Sequence, residues 1–229
     1  MIEAALARDL RDEDGDPVVL ELAPPAGAEE IAALEAELGL PLPRELHGLL
    51  RRTRGVAGAP VELDFTGAAM AFGGEDLFPA GVPVAADGLG NFWVADVRPG
   101  AELAPVFFAC HDPPVVVLEA RSLAAFLEAV VALLVPPHAS RLRDAHLRGF
   151  ESAPIPLDEA LAGDPVLAAF AAGLGDDNVV VDLRDAAPGT GFEWGVHGPG
   201  TEVRRDGYAP VFAVAAPPPR RRRWFGRGR

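Results

Sequence analysis

The 229-residue chain is 49% hydrophobic and 24% charged, which is ordinary for a globular protein, excludes wholesale disorder and leaves ample material for a core. Its formal net charge is −14, and six arginines in the last ten residues run against that sign, so the rest of the chain is six charges more negative still. Such a body repels nucleic acid and anionic membrane and suits a basic protein partner. All twenty basic residues are arginine; beside so much Ala, Gly and Pro, this reads as a GC-rich coding bias and not as chemistry. Cys110 is the single cysteine, so no intramolecular disulfide or thiolate cluster can form. The first sixteen residues are acidic and lack the basic-then-apolar pattern of a secretory leader, and the apolar stretch at 123–135 is too short and interrupted to span a bilayer. The expectation is a cytoplasmic protein.

Ile2, Leu6 and Leu10 have helical spacing, and residues 18–22 read as a short strand. Pro24-Pro25 stops regular structure. A helix is expected over 28–38, where Ile31, Leu34 and Leu38 keep the 3.6 period, Glu29 and Glu30 suit the first turn, and Gly39 ends it. Pro43 starts a second helix over 44–54, with Leu46, Leu49 and Leu50 inward and Gly55 as its stop. Residues 61–65 form a strand candidate, and 67–76 a loop carrying Glu75 and Asp76.

Residues 78–119 organise the chain. Three runs rich in Val, Phe and Trp, at 91–97, 104–110 and 115–118, are punctuated by Gly, Pro and Asp and read as consecutive strands. Asp87-Gly88-Leu89-Gly90-Asn91 is the sharpest turn signal, because its glycines accept positive φ and its Asp and Asn bond local backbone. Ser122 caps a third helix over 123–134, which Pro136-Pro137 ends. Residues 141–150 suggest an amphipathic turn or two, and 158–174 a helical pattern broken at Gly163-Asp164-Pro165. Strands are expected at 179–183, 192–196 and 209–214. The segments from Phe92 and from Phe192 share a strand, Pro-Gly turn, strand pattern, better explained by convergent turn chemistry than by duplication.

The stretch from Pro24 to Leu50, the Leu77-Phe78-Pro79 triplet, the turn at 86–91, Pro105-Val106-Phe107-Phe108, His111-Asp112 and the Ser122 helix entry together resemble the SMI1/KNR4 (SUKH) superfamily. The resemblance covers roughly residues 24–134. It implies an α+β fold with a mixed or antiparallel sheet flanked by helices. It also implies a bacterial immunity protein that neutralises a cognate toxin by stoichiometric binding, or alternatively a regulatory scaffold with an endogenous partner. No catalytic residues come with the family, so no enzyme, cofactor or small-molecule substrate is expected. The domains follow as an N-terminal helix and strand (1–23), the SMI1/KNR4-like domain (24–135), a C-terminal α+β extension packed on the same body (136–216) and a disordered arginine-rich tail (217–229).

Cys110-His111-Asp112 invites a nucleophile–base–orienter reading, but successive strand residues face opposite ways, so Cys110 is expected to be buried as an apolar residue. The five histidines show no metal-ligand spacing, and Asp87 with Asn91 lacks the rest of a calcium loop. The GxG at 88–90 lies between strands, with no helix N-terminus to receive a phosphate. The candidate surface for a basic toxin is therefore the acidic one, with Glu75, Asp76, Asp87, Asn91, Trp93 and Asp112 as its residues. The tail residues Arg220, Arg221, Arg222, Arg223, Trp224 and Phe225 are the candidate contact to anionic lipid or nucleic acid.

Overall fold

The computed structural model describes residues 9–68, 74, 76–112, 114–143, 145, 149–193 and 203–215. Its centre is an eight-stranded antiparallel sheet. In spatial order the strands are β1 (Glu21–Leu22), β2 (Gly55–Ala57), β3 (Glu62–Asp64), β4 (Gly81–Ala86), β5 (Phe92–Asp96), β6 (Val106–His111), β7 (Pro114–Ala120) and β10 (Gly191–Glu193). A second antiparallel sheet orders β11 (Val203–Arg205), β12 (Val211–Ala215), β9 (Asn178–Asp182) and β8 (Ile155–Pro156). Three helices, α1 (Ala28–Leu38), α2 (Arg44–Leu50) and α3 (Leu123–Ala132), cover one face of the large sheet, and the small sheet covers the other. Two short helices, α4 (Leu157–Leu161) and α5 (Pro165–Ala171), back the small sheet. The fold is α+β, in four layers.

Strand alternation sorts the core. On β6, Val106, Phe108 and Cys110 face the helices while Phe107 faces the small sheet. On the helical side Trp93 packs on Phe108 and Phe126, with ring centroids 5.1 and 6.0 Å apart. On the other side Phe192 of the large sheet meets Phe212 of the small one at 4.8 Å. Covering both faces explains why β7 is apolar without a break from Val115 to Leu118, ahead of the buried Glu119, since a strand buried on both sides has no reason to alternate with polar residues.

One polar group interrupts the second interface. Asp96, at the end of β5, points toward the small sheet and is met by Arg205 of β11 at 2.7 Å, both side chains at most 2% exposed. The same guanidinium donates to the carbonyls of Leu77 (2.6 Å), Tyr208 (2.8 Å) and Ala209 (2.9 Å), and lies over the rings of Phe78 and Phe212. Burial pushes the Asp96 carboxyl up from its usual value, while Arg205 and Arg98 pull the other way.

Several expectations need correction. The second helix ends at Leu50, not 54: Thr53 turns back to donate to the Ala23 carbonyl at 2.9 Å, and Gly55 opens β2. A Cβ at Gly55 would stand 2.3 Å from the Leu63 carbonyl oxygen, so this glycine serves close strand approach and not a helix stop. Strand β4 escaped the sequence reading because Pro83 breaks its pattern; the proline is accommodated beside a register shift against β5. The two similar segments are not copies of one hairpin, because β5 pairs with β6 whereas β10 joins the large sheet and β12 the small one. Strands β8 and β11 were not expected, and the helical spacing at residues 2 and 6 lies outside the described residues.

Removing Arg205 leaves a buried carboxylate and three carbonyls without their donor. Arg205→Ala is expected to cost about 3–5 kcal/mol in urea melts. Removing both charges together, as Asp96→Asn with Arg205→Met, is expected to cost less than that single change. A double loss equal to the sum of the two single losses would mean that the pair is not coupled.

Candidate partner-binding site

The turn between β4 and β5 is built by its own side chains. Asp87 Oδ1 accepts from the backbone N–H of Leu89 at 2.8 Å and of Asn91 at 3.2 Å. Asn91 Nδ2 donates to the other Asp87 oxygen at 2.7 Å. The Asn91 amide oxygen in turn accepts from the His111 backbone N–H at 3.3 Å and lies 3.0 Å from the ring Nδ1. Gly88 and Gly90 sit at φ 73° and 90°, where a side chain would be strained, and the His111 ring crowds Gly90. The β4–β5 and β6–β7 turns are thus tied into one end of the sheet.

That end is acidic with an apolar tip. Asp112 is exposed beside His111, exposed Glu62 of β3 reaches over Gly88, and Leu89 stands 64% exposed between them. The Cys110 thiol, buried toward the helices, donates to the Asp112 carbonyl at 3.3 Å, and burial pushes it above its usual value, with Asp87 and Asp112 adding to that shift. A protonated, enclosed thiol is a poor nucleophile. The exposed His111 side chain faces away from it, as alternation requires.

Residues 25–129 match the SMI1 / KNR4 family (SUKH-1). This stretch is an SMI1/KNR4 domain. No curated protein and no solved structure matches the chain. The SMI1/KNR4 domain holds β2 through β7, both turns of the acidic end and most of the three covering helices, while β10 and the small sheet lie beyond it.

The six candidate residues do not form one patch. Asp87, Asn91 and Asp112 come together, but exposed Asp76 precedes Leu77 at the far end of β4, roughly 20 Å away at 3.3 Å per strand residue. Glu75 lies outside the described residues, as do Arg220, Arg221, Arg222, Arg223, Trp224 and Phe225. Trp93 is corrected outright: at 2% exposure it belongs to the helix-side core and presents nothing to a partner. Asn91, 4% exposed, is an internal brace for the turn and not a contact. Sequence reasoning missed Glu62, which only strand pairing with Ala86 brings to the turn, and Leu89, whose place between two glycines was a usable signal for an exposed apolar tip.

Among the described residues no group of three or more His, Cys, Asp or Glu is placed to hold a metal ion, and no helix is long and apolar enough to cross a membrane. A second surface feature lies on the helical face, where a cleft of about 450 Å³ opens between α2, α3 and the loop before β6. Glu45 closes its inner end, its carboxylate accepting from the backbone N–H of Ala104 at 2.7 Å and, at the start of α3, of Leu123 at 3.1 Å.

Asn91→Ala removes the amide that joins the two turns and takes from the half-buried backbone N–H of His111 its side-chain acceptor. It is expected to lower stability by about 1–3 kcal/mol in denaturant melts. It is also expected to broaden the NMR signals of residues 87–91 and 111–112; unchanged signals would show that Asp87 alone holds the turn.

Proposed function

We propose that the chain is a non-enzymatic, cytoplasmic binding protein of the immunity type, which neutralises a basic toxin by stoichiometric occlusion. The observation that carries the reading is the acidic end of the SMI1/KNR4 domain, where Asp87, Glu62 and Asp112 surround the exposed Leu89. Carboxylates around an apolar anchor suit a partner whose basic groups surround an apolar recess. The excess negative charge of the whole body adds long-range steering, which speeds encounter with a basic protein. Asp87 has its oxygens engaged in the turn, so Glu62 and Asp112 are the carboxylates available for direct contact. Neither needs to transfer a proton or hold a metal; the surface acts by fit and charge.

The test is co-expression with a toxin encoded beside this chain. Growth rescue by the wild type is expected to be lost when Glu62 and Asp112 are both changed to Lys, with affinity for the purified toxin falling at least tenfold and weakening steeply with salt. Full rescue by the double variant would exclude this surface. Binding only to endogenous proteins, with no rescue, would make the chain a regulatory scaffold.

A further inference from the structure

Strand β12 leads the chain toward the acidic end of the large sheet. The turn between β11 and β12 lies at the opposite end, because Arg205 ties its Tyr208 carbonyl to Asp96 and to the Leu77 carbonyl. From that turn β12 runs away over Val211–Ala215, roughly 13 Å at 3.3 Å per residue. Strand β5, followed back from Asp96, covers the same number of residues before it reaches the β4–β5 turn. Phe92 and its partner Ala109, near the acidic end, pack against the buried cluster that holds Val214. The chain therefore leaves the small sheet at Ala215 on the side of the β4–β5 and β6–β7 turns. Carboxylates flank this exit. Ala215 pairs with Asn178, directly after the exposed Asp176 and Asp177. Exposed Glu193 ends β10 opposite Val115, next to the β6–β7 turn, and exposed Glu62 and Asp112 follow around Leu89. The basic side chains on these strands and turns are Arg205, buried with Asp96, Arg204, which donates to the Gly173 carbonyl at 3.2 Å, and His111, held by Asn91. Five exposed carboxylates against one exposed arginine leave this end negative.

We propose that the chain's own arginine-rich segment, residues 217–229, docks on this acidic end. The segment follows Ala215 with one residue between, and it carries six arginines and the Trp224-Phe225 pair. Its charge is the complement of the surface beside which the chain emerges. Pro217-Pro218-Pro219 would act as a stiff spacer of about 3.1 Å per residue, close in all to the ~10 Å between stacked sheets. Arg220 to Arg223 would then come level with Glu193 and Asp112, where an arginine fork can take a carboxylate in two parallel hydrogen bonds. Trp224 and Phe225 would cover Leu89, the apolar tip at 64% exposure. A short tether holds such a segment at an effective concentration on the order of millimolar, so individually weak, salt-screened pairs suffice for occupancy. The docking stands without the toxin reading; its consequence rests on that reading. A basic partner must displace the segment, so the acidic end is closed to basic proteins whose charge and apolar fit do not exceed those of the chain's own terminus.

The experiment places a nitroxide spin label on Gly226→Cys in the full-length protein, where Cys110, 1% exposed, stays unlabelled. The backbone amide NMR signals of residues 87–91, 111–112 and 176–177 are expected to be broadened by the label, to the same degree when the protein is diluted. Arg221→Glu with Arg222→Glu is expected to restore those signals, and so is Glu62→Lys with Asp112→Lys. The first pair of changes lies outside every strand and helix described, so it keeps the test valid if the second disturbs folding. Unbroadened signals at the acidic end, or broadening indifferent to both pairs of changes, would overturn the proposal. Broadening that fades on dilution would assign the segment to a second copy and overturn it equally. So would a segment that leaves the acidic end unbroadened and responds only to added anionic vesicles or DNA. No toxin enters the measurement, so its failure leaves the toxin reading standing, and a failed growth rescue leaves the docking standing.

Discussion

The structure depends on covering both faces of one sheet. Strands β5 to β7 carry apolar residues on both sides, so helices alone would leave Phe107, Val94, Val116 and Leu118 facing water. The small sheet takes that face, and Arg205 fixes how it sits. Its guanidinium has four acceptors, one of them the Asp96 carboxylate and one the Leu77 carbonyl, both in the large-sheet half. A buried carboxylate is costly alone and tolerable only with a partner in good geometry. Asp96 therefore makes the SMI1/KNR4 domain dependent on a residue 109 positions away in the chain.

Much of this was legible in the sequence, and the gaps have physical reasons. The first helix is expected over 28–38 and spans Ala28–Leu38, because its period, acidic first turn and Gly39 (φ 66°) all agree. Ser122 caps α3 as expected, accepting from Ala125 N–H. What failed was non-local. Pro83 hid a strand whose irregularity is absorbed by its neighbour, and Gly55 read as a stop when its role is set by β3. The candidate site failed similarly: an exposed-looking aromatic, Trp93, is claimed by Phe126 from a helix thirty residues on. Glu62 and Asp87, far apart in sequence, meet only through pairing of β3 with β4. Local turn chemistry was readable, whereas which face of a strand is covered was not.

The same layering separates two kinds of surface. Turns at one end of the large sheet present carboxylates around Leu89, because a tight β4–β5 link leaves its tip nowhere to bury an apolar side chain. The gap between α2 and α3 leaves an apolar recess whose polar border carries both signs, Arg44 and Arg52 with Glu45 and Glu102, since α2 is short and its last turn diverts into β2. Rigid strand ends and helix walls hold both, so neither needs ordering before it meets a partner, which saves part of the entropy that binding otherwise costs.

The most direct measurement is made on a chain ending at residue 149, which keeps the SMI1/KNR4 domain and removes β10 and the small sheet. The account predicts that this fragment binds a hydrophobic dye strongly, self-associates and loses the cooperative thermal transition of the full chain, because Asp96 and the apolar second face are left uncovered. A soluble monomer that melts as cooperatively as the full chain and binds no dye would contradict it.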